Sequence, residues 1–244
     1  MLRSWARGAL PLLATFLALG TPAAAQTCPA PLDGARRLVL VLGQTMDTTA
    51  ATITLYERAS AAVPWRAVHA AGPAVVGLAG MGWGFSFRAL ARAGEPLKVE
   101  GDKRAPAGVF RIGASFGFAA SRLPGYLRLQ DDTVCVDAPS SPAYSTITSR
   151  KVVGPNISGE DMRRIALYRR GLLVDYPTDR AARAGSCIFI HIWRGEGRGT
   201  AGCVALPEAR VAALQEFATD GAVIAILPRG ALDRFAGCLP VAAQ

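Results

Sequence analysis

Two side chains in the last quarter of the chain have the types and spacing for acyl-transfer chemistry. His191 sits in the apolar run Ile188-Phe189-Ile190-His191-Ile192-Trp193, and Cys203 in Thr200-Ala201-Gly202-Cys203-Val204-Ala205-Leu206. A cysteine attacks as its thiolate, and a free thiol loses its proton only near pH 8.5, so an imidazole within reach is what makes the nucleophile available at neutral pH. His191 would take that proton and later give it to a leaving amine. Gly202 allows close backbone approach, and the amides of Gly202 and Cys203 are candidates for holding an oxyanion. The other histidine, His69, has no nucleophile-bearing motif beside it and is expected at a surface strand end.

The elements that must bring this pair together are two short strands, residues 186–193 and 202–206, with Gly195, Gly197 and Gly199 permitting a reversal between them. Paired as a hairpin with its turn near Gly197, they set His191 opposite Cys203, where cross-strand Cβ atoms lie about 4.5–5.5 Å apart. Alternation then puts Phe189, His191 and Trp193 on the face that carries Ala201, Cys203 and Ala205.

The rest of the chain reads as scaffold. Residues 35–43 hold Leu38-Val39-Leu40-Val41-Leu42, a buried strand ending at a glycine. Residues 52–57 alternate as a half-exposed strand, and residues 63–68 form a third. With no helical crossover between them, the three are predicted as an antiparallel meander. Residues 77–87, glycine-rich around Trp83, read as a tightly packed loop. Residues 98–112 run from a charged turn at Gly101-Asp102 through Pro106 into a strand, as a hairpin. Ser158, with acids following, is predicted to cap a short helix, and residues 167–176 to form a strand. Residues 207–218 are the best helix, with Pro207 in its first position and Val211 and Leu214 on its apolar stripe. Residues 222–227 are the last strand. No repeat and no long linker divides the chain, so a single mainly β domain over residues 26–244, with a few short helices, is expected.

Composition agrees. Of 244 residues, 51% are hydrophobic and 18% charged, which is a globular balance. Arg3 and Arg7, an apolar run from Ala9 to Leu19, and Pro22-Ala23-Ala24-Ala25 make a secretory signal peptide over residues 1–25, cleaved after Ala25. The run is too short to span a bilayer, and no later stretch is long and apolar enough. An exported protein, periplasmic or extracellular, follows. The full chain's net charge of +9, or +7 (9 − 2) without the signal's Arg3 and Arg7, comes from scattered arginines, which suits solvated faces and an anionic wall surface rather than nucleic acid.

Five cysteines remain after the signal: Cys28, Cys135, Cys187, Cys203 and Cys238. In an oxidising compartment four of them can form two disulfides in three ways, leaving one free. Cys28 and Cys238 flank the domain, whose ends are often close together, and are one expected pair. Cys135 with Cys187 would complete the set and leave Cys203. No Cys-x-x-Cys occurs and the two histidines are far apart, so no metal and no cofactor is expected.

The full wording of the segment from Ile188 to Leu206 closely resembles the active-site signature of the L,D-transpeptidase (YkuD-type) family, in the branch with Thr-Ala-Gly-Cys. Glu100-Gly101-Asp102 with Pro106-Ala107-Gly108, and Cys135-Val136-Asp137 with Ser141-Pro142 and Tyr144, match that branch too, and the likeness spans residues 36–228. The resemblance implies a β-sandwich-like catalytic domain that acylates its cysteine with a peptidoglycan stem peptide and passes the acyl group to an amine. It implies Cys203 as nucleophile, His191 as base and Gly202 beside the oxyanion, with Thr200, Trp193 and Arg194 at the substrate. Carbapenem-type β-lactams would be acylating inhibitors. Ala201 replaces a second histidine of the commoner motif, and Ala205 a substrate-binding arginine, for which Arg194, Arg198 and Arg104 are the substitutes in this sequence. Two other readings stand beside transfer. One is hydrolysis by the same thiolate, as a carboxypeptidase, endopeptidase or amidase; the other is a non-catalytic wall-binding domain whose Cys203 is disulfide-bonded.

Overall fold

The computed structural model describes Met1, residues 27–219 and residues 221–240, so the expected signal peptide lies outside the described residues. Among the described residues fourteen strands carry the fold. The first seven are β1 (Arg37–Gly43), β2 (Ala50–Glu57), β3 (Arg66–Ala67), β4 (Gly72–Val75), β5 (Met81–Trp83), β6 (Ala105–Gly117) and β7 (Leu127–Arg128). After them come β8 (Thr133–Val136), β9 (Ile147–Ser149), β10 (Gly159–Asp161), β11 (Arg170–Asp175), β12 (Phe189–Ile192), β13 (Val204–Leu206) and β14 (Ala222–Pro228). The two α-helices are α1 (Arg150–Val153) and α2 (Glu208–Phe217), joined by several short 3₁₀ turns. The expected mainly β class with few short helices is what is found.

The main sheet runs β1-β14-β6-β11-β12-β13-β4-β2, and β1 pairs again with β2, so eight strands close on themselves. The core it encloses is filled by Leu38, Trp83, Phe110, Ile190, Leu206 and Ile226, each 2% exposed or less. The apolar run Leu38-Val39-Leu40-Val41-Leu42 is buried throughout, so both faces of β1 are covered, and its edges pair with β14 in parallel and with β2 antiparallel. The predicted meander holds for β1, β2 and the short β3. Helix α2 matches its prediction apart from Pro207, which sits at the cap. Val211 and Leu214 are buried, and Gln215 anchors the helix by donating to the carbonyls of Phe116 and Gly171, both at 3.0 Å.

Three local expectations fail. Residues 98–112 are no hairpin: the strand that begins at Ala105 pairs in parallel with β5, Met81 opposite Ala105. Ser158 caps no helix, because residues 159–161 pair with β8 as strand β10 and a 3₁₀ turn begins only at Met162. Residues 166–169 are a 3₁₀ turn and not strand; β11 starts at Arg170. In the first two cases a strand partner outside the local segment outweighs a local preference.

A separate small sheet, β10-β8-β9, is tied to the lead-in of β12 by the Cys135–Cys187 disulfide. A second disulfide, Cys28–Cys238, joins segments 210 residues apart. Both expected pairs are therefore present, and Cys203 alone keeps a free thiol. Disulfides stabilise mainly by restricting the unfolded chain. Replacing Cys28 and Cys238 together with alanine is expected to cost about 3 kcal/mol, read as a lower urea midpoint with the cleft around Cys203 still formed.

Candidate active site

The site is built on β12, whose alternation makes it a wall between two environments. Ile190 and Ile192 point into the main core, while Phe189 joins a second cluster with Phe116, Tyr168, Cys187 and Cys203. His191 shares that second face: its ring stands edge-on to Tyr168, with centroids 5.1 Å apart. Its Nδ1 lies 2.8 Å from the carbonyl oxygen of Ile192. A carbonyl can only accept, so Nδ1 carries the proton and Nε2 is the basic nitrogen.

Cys203 reaches this face by a route other than the predicted hairpin. Strand β13 runs parallel to β12, with Ile190 opposite Val204 and His191 opposite Ala205. The loop of residues 193–203 leaves the end of β12 and returns along the edge of residues 76–78. There the Thr200 amide donates to the Val76 carbonyl and the Leu78 amide to the Thr200 carbonyl. Gly199 makes this approach possible: a Cβ there would sit 2.5 Å from the Leu78 Cα. The glycines after β12 do permit a turn, but the ladder partner of Thr200 lies more than a hundred residues upstream. Of the predicted facing, Phe189, His191 and Cys203 do share one side, with Ala201 and Ala205 on the same cleft, but Trp193 does not join them.

The nucleophile's loop is held tightly. Thr200 Oγ1 donates to the Cys203 carbonyl at 2.7 Å and accepts from the Gly202 amide at 3.1 Å. The Gly202 amide is thus engaged by Thr200 rather than open to the cleft. Gly202 has φ +153°, and a Cβ there would meet the Arg104 carbonyl at 3.0 Å, so the turn needs glycine. The Cys203 thiol donates to the Cys187 carbonyl at 3.5 Å and accepts from the Phe189 amide at 3.3 Å. Cys187 presents that carbonyl from a left-handed backbone, φ +54°, held by its disulfide.

Cys203 and His191 open on one cleft of about 560 Å³, whose wall includes Thr200, Gly202 and Arg194. Arg198 lines it as well. Trp193 and Arg104 do not. Trp193 continues the sheet edge, its amide donating to the Leu206 carbonyl at 2.8 Å. Arg104 braces the scaffold through the carbonyls of Met46 and Met81 and the carboxylate of Asp47. His69 is exposed and lies away from the cleft, as expected.

Sequence reasoning missed four cleft residues. Lys98 is buried in the floor, paired with Asp102 at 2.5 Å. Tyr168 donates to Glu160 at 2.6 Å, and burial raises both its hydroxyl and the Glu160 carboxyl above their usual pKa ranges. Glu100 accepts from Tyr144 at 2.5 Å and from Ser186 at 2.7 Å. The signal for these was partly visible: Glu100 with Asp102, and Tyr144, belong to the two earlier segments singled out in the sequence, and those segments meet at this wall.

Electrostatics keeps the resting pair neutral. Burial pushes the Cys203 thiol up to about 12, with the negative charge of Glu160 adding to the effect. Burial likewise pulls the His191 imidazole down to about 4, assisted by the positive charge of Arg194. A thiol and a neutral imidazole face the cleft, and the thiolate forms only as attack begins. Iodoacetamide labelling of Cys203 is therefore expected to rise about tenfold per pH unit from pH 7 to pH 10, without the plateau an ordinary thiol shows above pH 8.5.

Among the described residues no helix is long and apolar enough to cross a membrane, and no cluster of His, Cys, Asp or Glu could hold a metal ion. Comparison with curated proteins and with solved structures returns no match for this chain. Comparison with protein families does return one, and it covers the cleft residues as well as the main sheet from β2 into β14. Over residues 46–226 the chain matches the family described as YkuD, L,D-transpeptidase catalytic domain, and it belongs to that family.

Proposed function

We propose that this protein is a peptidoglycan L,D-transpeptidase that works through a thioester on Cys203. One observation carries the reading: the lone free thiol among the described residues opens on the same cleft as His191, within a domain of this family. The donor is a stem tetrapeptide, cut between the L-centre of its diaminopimelate and the terminal D-alanine. His191 Nε2 takes the thiol proton while Sγ bonds to the carbonyl carbon, and the carbonyl electron pair moves onto oxygen. Collapse breaks the C–N bond, and D-alanine leaves with the proton from His191. An acceptor amine then attacks the thioester and gives its proton to His191. The C–S bond breaks, and the thiolate takes the proton back.

Arg194 and Arg198 line the cleft and suit the donor's carboxylates, the task of an arginine where this chain has Ala205. Thr200 holds the loop on which the nucleophile sits. Two disulfides fit the oxidising compartment to which the N-terminal leader would export the chain. The free thiol of Cys203 speaks against the wall-binding reading, which needed it bonded. The test is muropeptide profiling of sacculi treated with the purified protein. New cross-links or exchanged D-amino acids are expected; shortened stems alone would replace transfer with hydrolysis by the same thiolate.

A further inference from the structure

Lys98 is 2% exposed, the one lysine, arginine, aspartate or glutamate among the described residues that is buried. An ammonium taken out of water is costly unless its charge is compensated and its donors are used. Asp102 Oδ1 at 2.5 Å and the Val99 carbonyl at 2.9 Å take two of its three N–H groups. The remaining one belongs to a group lining the cleft beside the nucleophile: Nζ lies 3.7 Å from where a Cβ on Gly202 would stand. That is ordinary van der Waals contact, so the ammonium lies against the residue that precedes the nucleophile. The Gly202 amide cannot serve there, since Thr200 Oγ1 already accepts from it. A purely structural loop clasp would not need this charge, because buried ion pairs are commonly replaced by apolar side chains at no loss of stability.

We propose that Lys98 is a catalytic residue, the cationic donor to the oxyanion that forms when Cys203 attacks the substrate carbonyl. This rests on the acyl-transfer reading above. As the C–S bond forms, the carbonyl oxygen gains the electron pair and a full negative charge, and the Lys98 ammonium, charged before and after, stabilises it without moving a proton. Asp102 fixes the ammonium in place. It also accepts from the amides of Val99 and Arg104, which orders the whole turn. The same charge draws the buried Cys203 thiol back toward ionisation, so a modest effect on thiolate reactivity accompanies the larger one on the oxyanion.

The two effects separate by reagent. Acylation of Cys203 by a carbapenem passes through an oxyanion, whereas alkylation by iodoacetamide displaces iodide at a saturated carbon and forms none. Rates of both, followed by intact mass, are compared between the full chain and Lys98→Met. The ratio of acylation to alkylation is expected to fall about 10²–10³-fold, the usual cost of one oxyanion donor, and to recover at least partly in Lys98→Arg. Should Lys98→Met not fold, Lys98→Gln gives the same ratio, with a fall of at least about tenfold required. Equal falls in both rates, or no change in either, would overturn the role of Lys98 and leave the function standing. A wild-type protein that is alkylated but never acylated would overturn both.

Discussion

Cys203→Ala is expected to abolish acyl transfer, with at least about a 10⁴-fold loss in rate, and to take up no carbapenem in an intact-mass experiment. Thiol counting on the unreduced, denatured protein should find one free thiol in the wild type and none in the variant, since the other four described cysteines are paired. The fold should survive. The thiol makes one long hydrogen bond to the Cys187 carbonyl and accepts one from the Phe189 amide, so removal leaves that buried amide unpaired at a cost of about 1 kcal/mol. A wild type that binds no carbapenem, or a variant that keeps its activity, would remove Cys203 from the mechanism.

His191→Gln is expected to lower the rate of transfer about 10³-fold while leaving Cys203 open to alkylation. The same substitution has a readout independent of activity. In the wild type the native imidazole titrates near pH 4, below the 6.5 of the unfolded chain. Below pH 6.5 the unfolded chain therefore takes up a proton that the native state refuses. Stability contributed by the neutral imidazole is complete above pH 6.5 and is lost as pH falls toward 4, at up to about 1.4 kcal/mol per pH unit. Urea midpoints measured between pH 7 and pH 4 should fall less steeply for His191→Gln than for the wild type. Parallel curves would mean that the native imidazole titrates like a free one.

Much of the scaffold was legible because its residues answer to local rules. The run from Leu38 to Leu42 could only be a strand covered on both faces, and Val211 with Leu214 marks one buried stripe of a helix. Cys203 and His191 could be read because a thiol, an imidazole and a glycine at set spacing carry chemical meaning of their own. What escaped was whatever depends on a distant partner. The register of β13 was hidden because Thr200 takes its partners from residues 76–78, and β10 because its partner β8 is not adjacent in sequence. Tyr168 and Lys98 looked like ordinary members of a strand and a turn. Only the fold turns their polar ends toward the sulfur.

The seam of the main sheet has a consequence of its own. The first and last strands, β1 and β14, lie side by side in parallel, Arg37 against Ala222, and the Cys28–Cys238 bridge staples the flanking segments. The ring therefore cannot close until the final strand is available, however early the rest of the chain emerges. Contacts of such long sequence separation make folding slow and late. If the chain is exported as proposed, it meets the oxidising compartment before that ring has closed. Until then the Cys203 thiol is one of five reactive sulfurs, and the order in which the other four pair decides whether it is still free when the cleft forms.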